Sequence, residues 1–380
     1  MTQTKVEAPF VENNRPFRNL IINGDMQVAQ RATAATTSGD NNGSFHTLDR
    51  WAFYNSLNGA YTSEQHDMSL ADLATTGQAH ALELNCTTAD TSVAAGDYAA
   101  VYQRIEAQNL QHLKWGTSSA KSLTLSFWGK SNLAGSGNPY SIYIHKHDST
   151  GYLLPIQYYF ASADTWEKIT INISPTAGST TLITNSAGVI NNDTGAGIGL
   201  FFNLVWGTDY TAAASGNNNL WNTTNYALDE DNNFLSSTSN NLYITGVQLE
   251  VGDAATDFEH LPYDVQLQRC HRYFFRSGGN VAYEMSGVGV VTVNSRLTIN
   301  VNHPVPMRAA PSLSVNNVAN FRIAPGAQSD AANSISLDIG GINTSMVNCN
   351  QAGTDYTTGH AGRLINENNT NASLDLSAEL

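Results

Sequence analysis

The chain has 380 residues, of which 41% are hydrophobic and only 13% are charged, and its net charge at pH 7 is −14. The charged share is about half the usual value, and the polarity comes from Asn, Ser, Thr and Gly, which favour turns and strands over helices. An acidic chain without a basic patch argues against a nucleic-acid partner, and no apolar run approaches the ~20 residues of a membrane helix. We therefore expect neither nucleic-acid binding nor membrane insertion.

Residues 1–18 are predicted to form an extended N-terminal arm. They lack hydrophobic periodicity and contain Pro9 and Pro16, so the segment is expected either to be disordered or to lie against a partner. Phe10 and Phe17 would then be its anchors in assembly. The first residues carry no apolar stretch of the kind that secretory signal peptides have, so export by that route is not expected.

Residues 19–262 are predicted to form an antiparallel β-sandwich. Short apolar or alternating runs recur there, separated by Gly-, Asn- and Ser-rich loops, and that pattern is typical of sandwiches. The runs are "NLIING", "LDRWAFY", "YAAVYQRIE", "KSLTLSFWGKS", "YSIYIHKH", "WEKITINIS", "GIGLFFNLVWG" and "NLYITGVQLEVG". In the fourth run, Leu123, Leu125 and Phe127 should face one side of the strand. No long helix is expected in this part, although "AQNLQHLKWG" could hold one helical turn.

A helical connector is predicted for residues 263–275, a dense block of large side chains that follows Pro262. Apolar residues at helical spacing there are Tyr263, Leu267, Cys270 and Phe274. A proline ahead of the helix and Asp264 in its first turn are both favourable, so we place the helix at about 264–274, with a change to strand at "RYFFRS". Tyr263, Leu267 and Phe274 are expected to make assembly contacts.

Residues 276–380 are predicted to form a second, smaller β-domain. Its strand-like runs are "GVGVVTVNSRLTINVNH", "PSLSVNN", "FRIAPG" and "SISLDIGG", followed by a final strand near 372–376. The segment "HPVPMRAAP" carries three prolines and cannot be a central strand. The whole chain is therefore mainly β: a sandwich, a short helical connector and a smaller β-domain.

Few patterns in the sequence indicate catalysis or a metal centre. The cysteines, Cys86, Cys270 and Cys349, are odd in number and far apart, so we predict that they are small buried hydrophobic residues. There is no GxSxG elbow, no phosphate-binding loop and no GxGxxG after a strand. We expect no catalytic residues and no cofactor.

Two polar clusters allow two interpretations each. His145 and His147 should point to one face of a strand, where they could join Asp148 in a metal site or simply form a polar strand edge. The acidic cluster comprises Asp229, Glu230 and Asp231. It could be a calcium site or a catalytic pair, but acidic residues in an Asn-rich loop are more often solvated.

The aromatic residues suggest a binding function. The chain has 16 Tyr and 6 Trp, and several of them lie on polar strands or beside loops. Aromatic faces together with polar side chains are how β-sandwiches bind sugars, whereas the alternative is that these rings fill the core or a subunit interface. The glycan-binding candidates are Tyr143, His145, Tyr158, Trp206, Tyr210 and Trp221.

Several motifs of the chain follow one another in an order that resembles a known family. "NLIINGDMQVAQR" is followed by "TLDRWAF", by "YQRIEAQNLQHLKWGTSSAKSLTLSFWGKSN", by "ITGVQLEVGDAATDFEHLPYDVQLQRCHRYF" and by a C-terminal "HPVPMRAAPS". From about Asn19 to Leu380 the chain resembles the phage and prophage virion proteins called tail fibre proteins, whose N-terminal half is similar to jelly-roll carbohydrate-binding modules. The resemblance implies a non-enzymatic virion protein with a lectin-like domain, assembled as a homotrimer. It also implies a structural calcium near Gly24 and Asp25, although the last strand, "YITGVQLE", lacks the usual Asp pair.

The resemblance leaves three functions open. The first is a tail fibre or receptor-binding protein, made in the host cytoplasm and carried on the virion, which contacts other virion proteins and host surface glycans. The second is a capsid decoration protein or head fibre that binds no sugar. The third is a virion-borne glycosidase, against which the missing catalytic pair argues.

Overall fold

The computed structural model describes residues 16–37, 43–179, 181–229, 231–279, 281–367 and 371–380. The chain forms two compact units, the first ending at Tyr263 and the second covering Asp264–Glu379. Among the described residues, no helix has both the length and the apolar character needed to cross a membrane. The predicted anchor Phe10 lies outside the described residues, whereas Phe17 is 59% exposed.

The first unit is an antiparallel jelly-roll sandwich of two sheets. In spatial order the strands of the six-stranded sheet are β1 (Thr36–Thr37), β3 (Ala60–Asp67), β4 (His80–Thr88), β13 (Asn241–Val251), β6 (Leu123–Ser131) and β9 (Glu167–Ile173). Those of the five-stranded sheet are β2 (Ala52–Asn55), β5 (Tyr98–Glu106), β10 (Ala196–Trp206), β7 (Tyr140–Lys146) and β8 (Tyr152–Tyr158). A short parallel pair, β11 (Thr211–Ala212) and β12 (Ala227–Leu228), follows β10 along the chain.

The core of this unit lies between its two sheets. Leu123, Leu125 and Phe127 of β6 are fully buried, as their alternation predicts, and they belong to the same apolar cluster as Leu200 and Phe202 of β10. Phe127 and Phe202 meet edge to face with centroids 5.1 Å apart, a favoured aromatic arrangement. Because alternate residues of a strand point to opposite faces, Phe201, which lies between Leu200 and Phe202, points away from this core.

Short helices connect the strands. Helix α1 (Leu70–Thr76) was not expected from the sequence; Ser69 caps its start by accepting a hydrogen bond from the Asp72 amide, and Gly77 ends it in a left-handed conformation. The predicted helical turn is a 3₁₀ helix at Ala107–Leu113. Further short helices are α2 (Ala214–Asn217) and two 3₁₀ turns at Ser186–Gly188 and Phe234–Ser236.

The predicted strand at "NLIING" is wrong, because side chains take over its backbone hydrogen bonds: Asn19 Oδ1 accepts from the Ile21 amide at 3.0 Å, and Gln103 Oε1 accepts from the Ile22 amide at 2.8 Å. The side-chain nitrogen of Asn23 donates to the carbonyls of Val28 and Asp49, and its side-chain oxygen accepts from the Val28 amide. Trp51 Nε1 donates to the Asn23 carbonyl at 3.0 Å. Asn23 has a positive φ of 58°, which Asn tolerates better than most residues. The segment is therefore a buried polar turn.

The second unit begins with a helix and contains two sheets. Helix α3 spans Tyr263–His271. The three-stranded sheet has the order β14 (Phe274–Gly278), β23 (Ser373–Ser377) and β17 (Ser312–Asn316). The seven-stranded sheet has the order β19 (Asp330–Ala331), β18 (Phe321–Pro325), β22 (Ala361–Asn366), β15 (Met285–Val293), β16 (Arg296–Asn302), β21 (Thr344–Asn350) and β20 (Ser334–Gly340). A 3₁₀ turn lies at Val318–Asn320.

The predicted helix is present, but it ends three residues before the expected position. The chain enters β14 at Phe274, whose ring is buried, so an assembly contact through Phe274 is corrected to a role within the unit. Tyr263 is 54% exposed and Leu267 is half-buried. All three cysteines are free and buried, which confirms that prediction.

Candidate functional site

A cluster of aromatic residues lies on the outer face of the five-stranded sheet, the face that points away from the sandwich core. On β5, Val101 and Ile105 point into the core, so the alternating positions place Tyr98, Tyr102 and Arg104 on the opposite face. The same alternation on β7 and β10 produces a second apolar cluster, separate from the main core. A sheet that is apolar on both faces indicates that something covers the outer face.

These residues line a cavity of about 360 Å³. Its lining residues are Tyr54, Tyr98, Arg104, Tyr143, His145, His147, Phe201, Trp206, Tyr210 and Tyr226. Most of them are half-buried, whereas Tyr143 and Phe201 are each only 2% exposed. The cavity therefore has a buried aromatic floor and walls that reach the surface.

Cross-strand pairing sets the arrangement of the floor. Phe201 on β10 is paired with Tyr143 on β7 on one side and with Tyr102 on β5 on the other. The rings stack with centroid distances of 4.2 Å (Phe201 to Tyr143) and 4.7 Å (Phe201 to Tyr102). Such aromatic pairs on neighbouring strands stabilise a sheet and leave little freedom to the rings.

The walls are aromatic as well. Trp206, at the end of β10, stacks on Tyr98 at 5.4 Å and on Tyr226 at 5.3 Å. Tyr210 meets both Trp206 and Tyr226 edge to face. Tyr210 and Tyr226 belong to the segment that contains β11 and β12, so this segment forms one side of the cavity.

Asp231 fastens that segment to the sheet. Its carboxylate accepts hydrogen bonds from the hydroxyl of Ser141, from Gln157 Nε2 at 3.1 Å and from the Leu228 amide at 3.1 Å. Burial raises the pKa of Asp231, and these hydrogen bonds act in the opposite direction. The hypothesis of a catalytic or calcium-binding role for this acid is thus replaced by a structural one, while Glu230 lies outside the described residues.

Arg104 supplies the charge in the cavity. Its Nη2 donates to the Tyr54 hydroxyl at 3.1 Å, and its guanidinium carbon lies 4.9 Å from the centre of the Tyr102 ring. In the part of the chain that the structure describes, no carboxylate forms an ion pair with Arg104, and its Nε has no hydrogen-bond partner. The cavity thus contains a fixed cation that no carboxylate of the described residues neutralises.

The two histidines are held in their neutral form. Their rings lie 3.8 Å apart. Burial, reinforced by the charge of Arg104, lowers the pKa of His145 to about 4, and burial together with His145 lowers the pKa of His147 to about 2. Both are therefore uncharged at neutral pH, and in each ring one nitrogen donates a hydrogen bond and the other accepts one.

The proposed metal site at these histidines does not form. The Asp148 carboxylate accepts hydrogen bonds from the amide nitrogen and side chain of Asn191 instead. Among the described residues, no three His, Cys, Asp or Glu side chains converge closely enough to hold a metal ion. His145 and His147 belong to the cavity wall, whereas Asp148 does not.

Four of the six glycan-binding candidates meet in the cavity, and two do not. Tyr143, His145, Trp206 and Tyr210 all line it. Tyr158 and Trp221 are buried in the main core, so their assignment to a binding site is corrected. Tyr158 packs edge to face on Phe127; the indole of Trp221 donates to the Ser174 carbonyl.

Sequence reasoning missed Tyr54, Tyr98, Arg104 and Phe201. A usable signal was present in "YAAVYQR", where alternation places the side chains of Tyr98 and Arg104 on one face of β5. No such signal shows that β5, β10 and β7 are neighbours, since these strands are far apart in the sequence.

The structural calcium that the resemblance implies near Gly24 and Asp25 stays a prediction. The Gly24 carbonyl accepts from the Val247 amide, and the Met26 carbonyl accepts from Gln65. Gly24 also has a steric role, since a Cβ at this position would lie 2.1 Å from the Val247 carbonyl oxygen.

No family model and no curated protein matches the chain. Among solved structures, it is similar to the family 11 carbohydrate-binding module of the cellulosomal cellulase Lic26A-Cel5E of Clostridium thermocellum, with 14% identity over 60% of this chain and 99% of that one and a TM-score of 0.27. It is also similar to TmCBM61 in complex with β-1,4-galactotriose, with 10% identity over 62% of this chain and 99% of that one and a TM-score of 0.27.

A third similar structure is the enzymatically active domain of tailspike protein 4 of bacteriophage CBA120. The identity is 12%, the match covers 63% of this chain but only 22% of that one, and the TM-score is 0.26. Scores this low decide neither ancestry nor function. The function is therefore inferred from the cavity itself.

Proposed function

We propose that the first unit binds a glycan in the aromatic cavity, and that the chain is a bacteriophage virion protein, a tail fibre or receptor-binding protein that contacts host surface glycans. The observation that carries the glycan proposal is the cavity on the outer face of the five-stranded sheet. Its aromatic rings are fixed by mutual stacking, and its polar groups are few and convergent, which is the usual make-up of a small-molecule site.

The ring geometry suits a sugar. A sugar ring has apolar C–H faces and a polar rim, so it packs on aromatic rings and needs hydrogen bonds at its edge. Trp206, Tyr98 and Tyr210 supply partly exposed rings, and His145 and the tyrosine hydroxyls supply polar edges. The rings are already ordered by the sheet, so binding would cost little conformational entropy.

The residues that line the cavity favour the binding of a glycan over its hydrolysis. Glycosidases usually act through a pair of carboxylates. No Asp or Glu is among the ten lining residues of this cavity. We therefore propose a non-enzymatic role.

The virion role is supported by the order of sequence motifs from "NLIINGDMQVAQR" onward. In this proposal the chain is a homotrimer located on the virion, its partners are other virion proteins and host glycans, and the exposed ring of Phe17 is available for docking. The chain in an imaged virion should lie on the tail, and its mass in native mass spectrometry should be that of a trimer. A capsid location would overturn the tail assignment, and a monomer would overturn the trimer.

A glycan array and a host-cell binding assay test the glycan proposal. We expect the purified full chain to bind, and Tyr210→Ala to weaken binding by removing one wall of the cavity. Tyr159→Ala is the matched control, because Tyr159 is 50% exposed and lies outside the lining. Absence of binding in both assays, or equal loss in the two variants, would overturn the proposal.

A further inference from the structure

The charge of the cavity indicates which class of glycan it accepts. Arg104 is the one residue among the ten lining residues that carries a formal charge at neutral pH, since the two histidines are neutral. The chain as a whole has a net charge of −14. The cavity is therefore positively charged although the chain as a whole is acidic.

Arg104 is held in place before any ligand binds. The Tyr54 hydroxyl and the face of the Tyr102 ring fix the guanidinium group, and neither can neutralise its charge. A charged group that is partly withdrawn from water is costly unless it is paired, and the described residues supply no carboxylate to it. The missing counter-charge would come from a ligand.

Some hydrogen-bonding nitrogens of the cavity also lack a partner among the described residues. Arg104 Nε, His147 Nε2 and Trp206 Nε1 are shielded from solvent and have no hydrogen-bond partner in the described structure. The guanidinium and indole N–H groups can only donate. The lining holds no Asp, Glu, Asn or Gln, so its acceptors are the tyrosine hydroxyls and one ring nitrogen of each neutral histidine. The N–H groups of Arg104 and Trp206, which cannot accept, fit a ligand that is rich in acceptors.

We propose that the cavity recognises an anionic sugar unit, one that bears a carboxylate or a sulfate ester, with the anion on Arg104 and the ring on the aromatic walls. The inference rests on the proposed glycan-binding function and specifies its substrate class. The planar guanidinium matches both oxyanions with paired hydrogen bonds. The volume of about 360 Å³ is at the lower end of the ~300–1,000 Å³ of ligand sites, which suits a single acidic unit better than a long chain segment.

The test is an array of microbial surface polysaccharides, each printed intact, after reduction of its carboxyl groups to alcohols, and after removal of sulfate. The full chain should bind acidic members and lose at least about tenfold in affinity for the form that lacks the recognised anion. Loss on carboxyl reduction identifies a carboxylate, and loss on desulfation identifies a sulfate. Binding should also weaken as NaCl rises.

Substitutions of Arg104 test whether this residue is responsible for the binding of acidic glycans. Arg104→Gln should reduce binding of the intact acidic glycan by at least about tenfold and remove its salt dependence, whereas Arg104→Lys should restore part of it. Arg363→Gln, which removes the same charge from an exposed position in the second unit, is the control and should bind like the natural chain. If Arg104→Gln unfolds, the comparison of intact and modified glycans with the natural chain decides alone.

Two failures can be told apart. Binding to neutral glycans, or binding that survives both carboxyl reduction and desulfation, would overturn the anionic-sugar inference and leave the glycan-binding function standing. Binding to no glycan at all would overturn the proposed function together with this inference.

Discussion

The ring planes of Trp206 and Tyr226 lie within 8° of each other, with their centroids 5.3 Å apart. Trp206 ends strand β10, and Tyr226 belongs to the segment that forms one wall of the cavity. The Tyr226 carbonyl also accepts a hydrogen bond from Asn203 of the same strand. The stack therefore joins the wall segment to the sheet and shapes the cavity at the same time.

Trp206→Leu tests whether the stacked rings, and not only the burial of an apolar side chain, join the wall segment to the sheet and shape the cavity. Leu keeps an apolar side chain but removes the stacking on Tyr98 and Tyr226, two pairs worth about 1–3 kcal/mol together. We expect a stability loss of about that size in urea denaturation and the loss of glycan binding on the array. Trp206→Phe should keep much of both. If Trp206→Leu bound as well as the natural chain, the aromatic wall would not be the sugar-binding surface.

The carboxylate of Asp231 offers a second test, since it fastens the wall segment without lining the cavity. Asp231→Ala removes the acceptor of three hydrogen bonds from Ser141, Gln157 and Leu228. Leaving such groups unpaired in a buried place should cost about 2–4 kcal/mol, and glycan affinity should fall because the segment detaches.

The control for Asp231 is Asp229→Ala, which makes the same charge change at an exposed neighbour. Urea denaturation and array binding should show a clearly smaller effect for this variant. Equal effects of the two substitutions would mean that charge, rather than the anchoring contacts, is responsible.

The sequence predicts the strands of this fold better than it predicts the cavity. Strand β5 lies where its short apolar run "YAAVYQRIE" places it, because such a run is typical of a strand that is buried on both faces. The run "NLIING" fails as a strand because the side chains of Asn19 and Gln103 accept the hydrogen bonds of its Ile21 and Ile22 amides, and the Gln103 contact is a tertiary effect that a local pattern does not contain. Tyr158 and Tyr143 look alike in the sequence, yet one points into the core and the other into the cavity.

Neighbouring strands of the cavity are distant in the chain. The sheet order β2-β5-β10-β7-β8 brings Tyr54, Tyr143 and Trp206 together across about 150 residues of sequence. Composition alone could indicate an aromatic binding surface, but only the strand order decides which rings share it. For the same reason the alternation of β5, which places Tyr98 and Arg104 on one face, does not show which residues of other strands share that face.

A pair of acids on the other sheet makes stability depend on pH. Glu64 on β3 is directly opposite Glu83 on β4. Burial, together with the negative charge of Glu83, raises the pKa of Glu64. Burial would also raise the pKa of Glu83, but hydrogen bonds from Asn85 and Tyr243 outweigh this and lower it.

Glu64→Gln should therefore stabilise the protein at neutral pH. A carboxyl whose pKa is raised in the folded state contributes stability below its unfolded pKa, near 4.5, and loses that contribution as pH rises through the folded value. Like charges directly opposite on neighbouring strands cost about 0.2–1 kcal/mol, and the variant should gain that amount at pH 7 and almost nothing at pH 4. Thermal unfolding at the two pH values measures this, and an equal gain at both would contradict the assigned repulsion.

Lys146 is a buried cation that serves structure and not binding. It is fully buried on β7, and its Nζ donates to the carbonyls of Thr150 at 2.9 Å, Ala187 at 2.8 Å and Asp148. These contacts hold the turn that follows His147, which lines the cavity. Hydrogen bonds from a charged group are worth about 1.5–3 kcal/mol each when made, and their loss leaves buried carbonyls unpaired.

Lys146→Met should therefore lower the free energy of unfolding by about 2–4 kcal/mol and weaken glycan binding by freeing His147. Urea denaturation measures the first effect and the array the second. Lys168→Met is the matched control, because Lys168 is exposed on the edge strand β9, and it should change stability by less than about 0.5 kcal/mol. If both substitutions had the same small effect, the three carbonyl contacts of Lys146 would contribute nothing to the fold, and the turn would be held by the Asp148 carboxylate and its hydrogen bonds to Asn191.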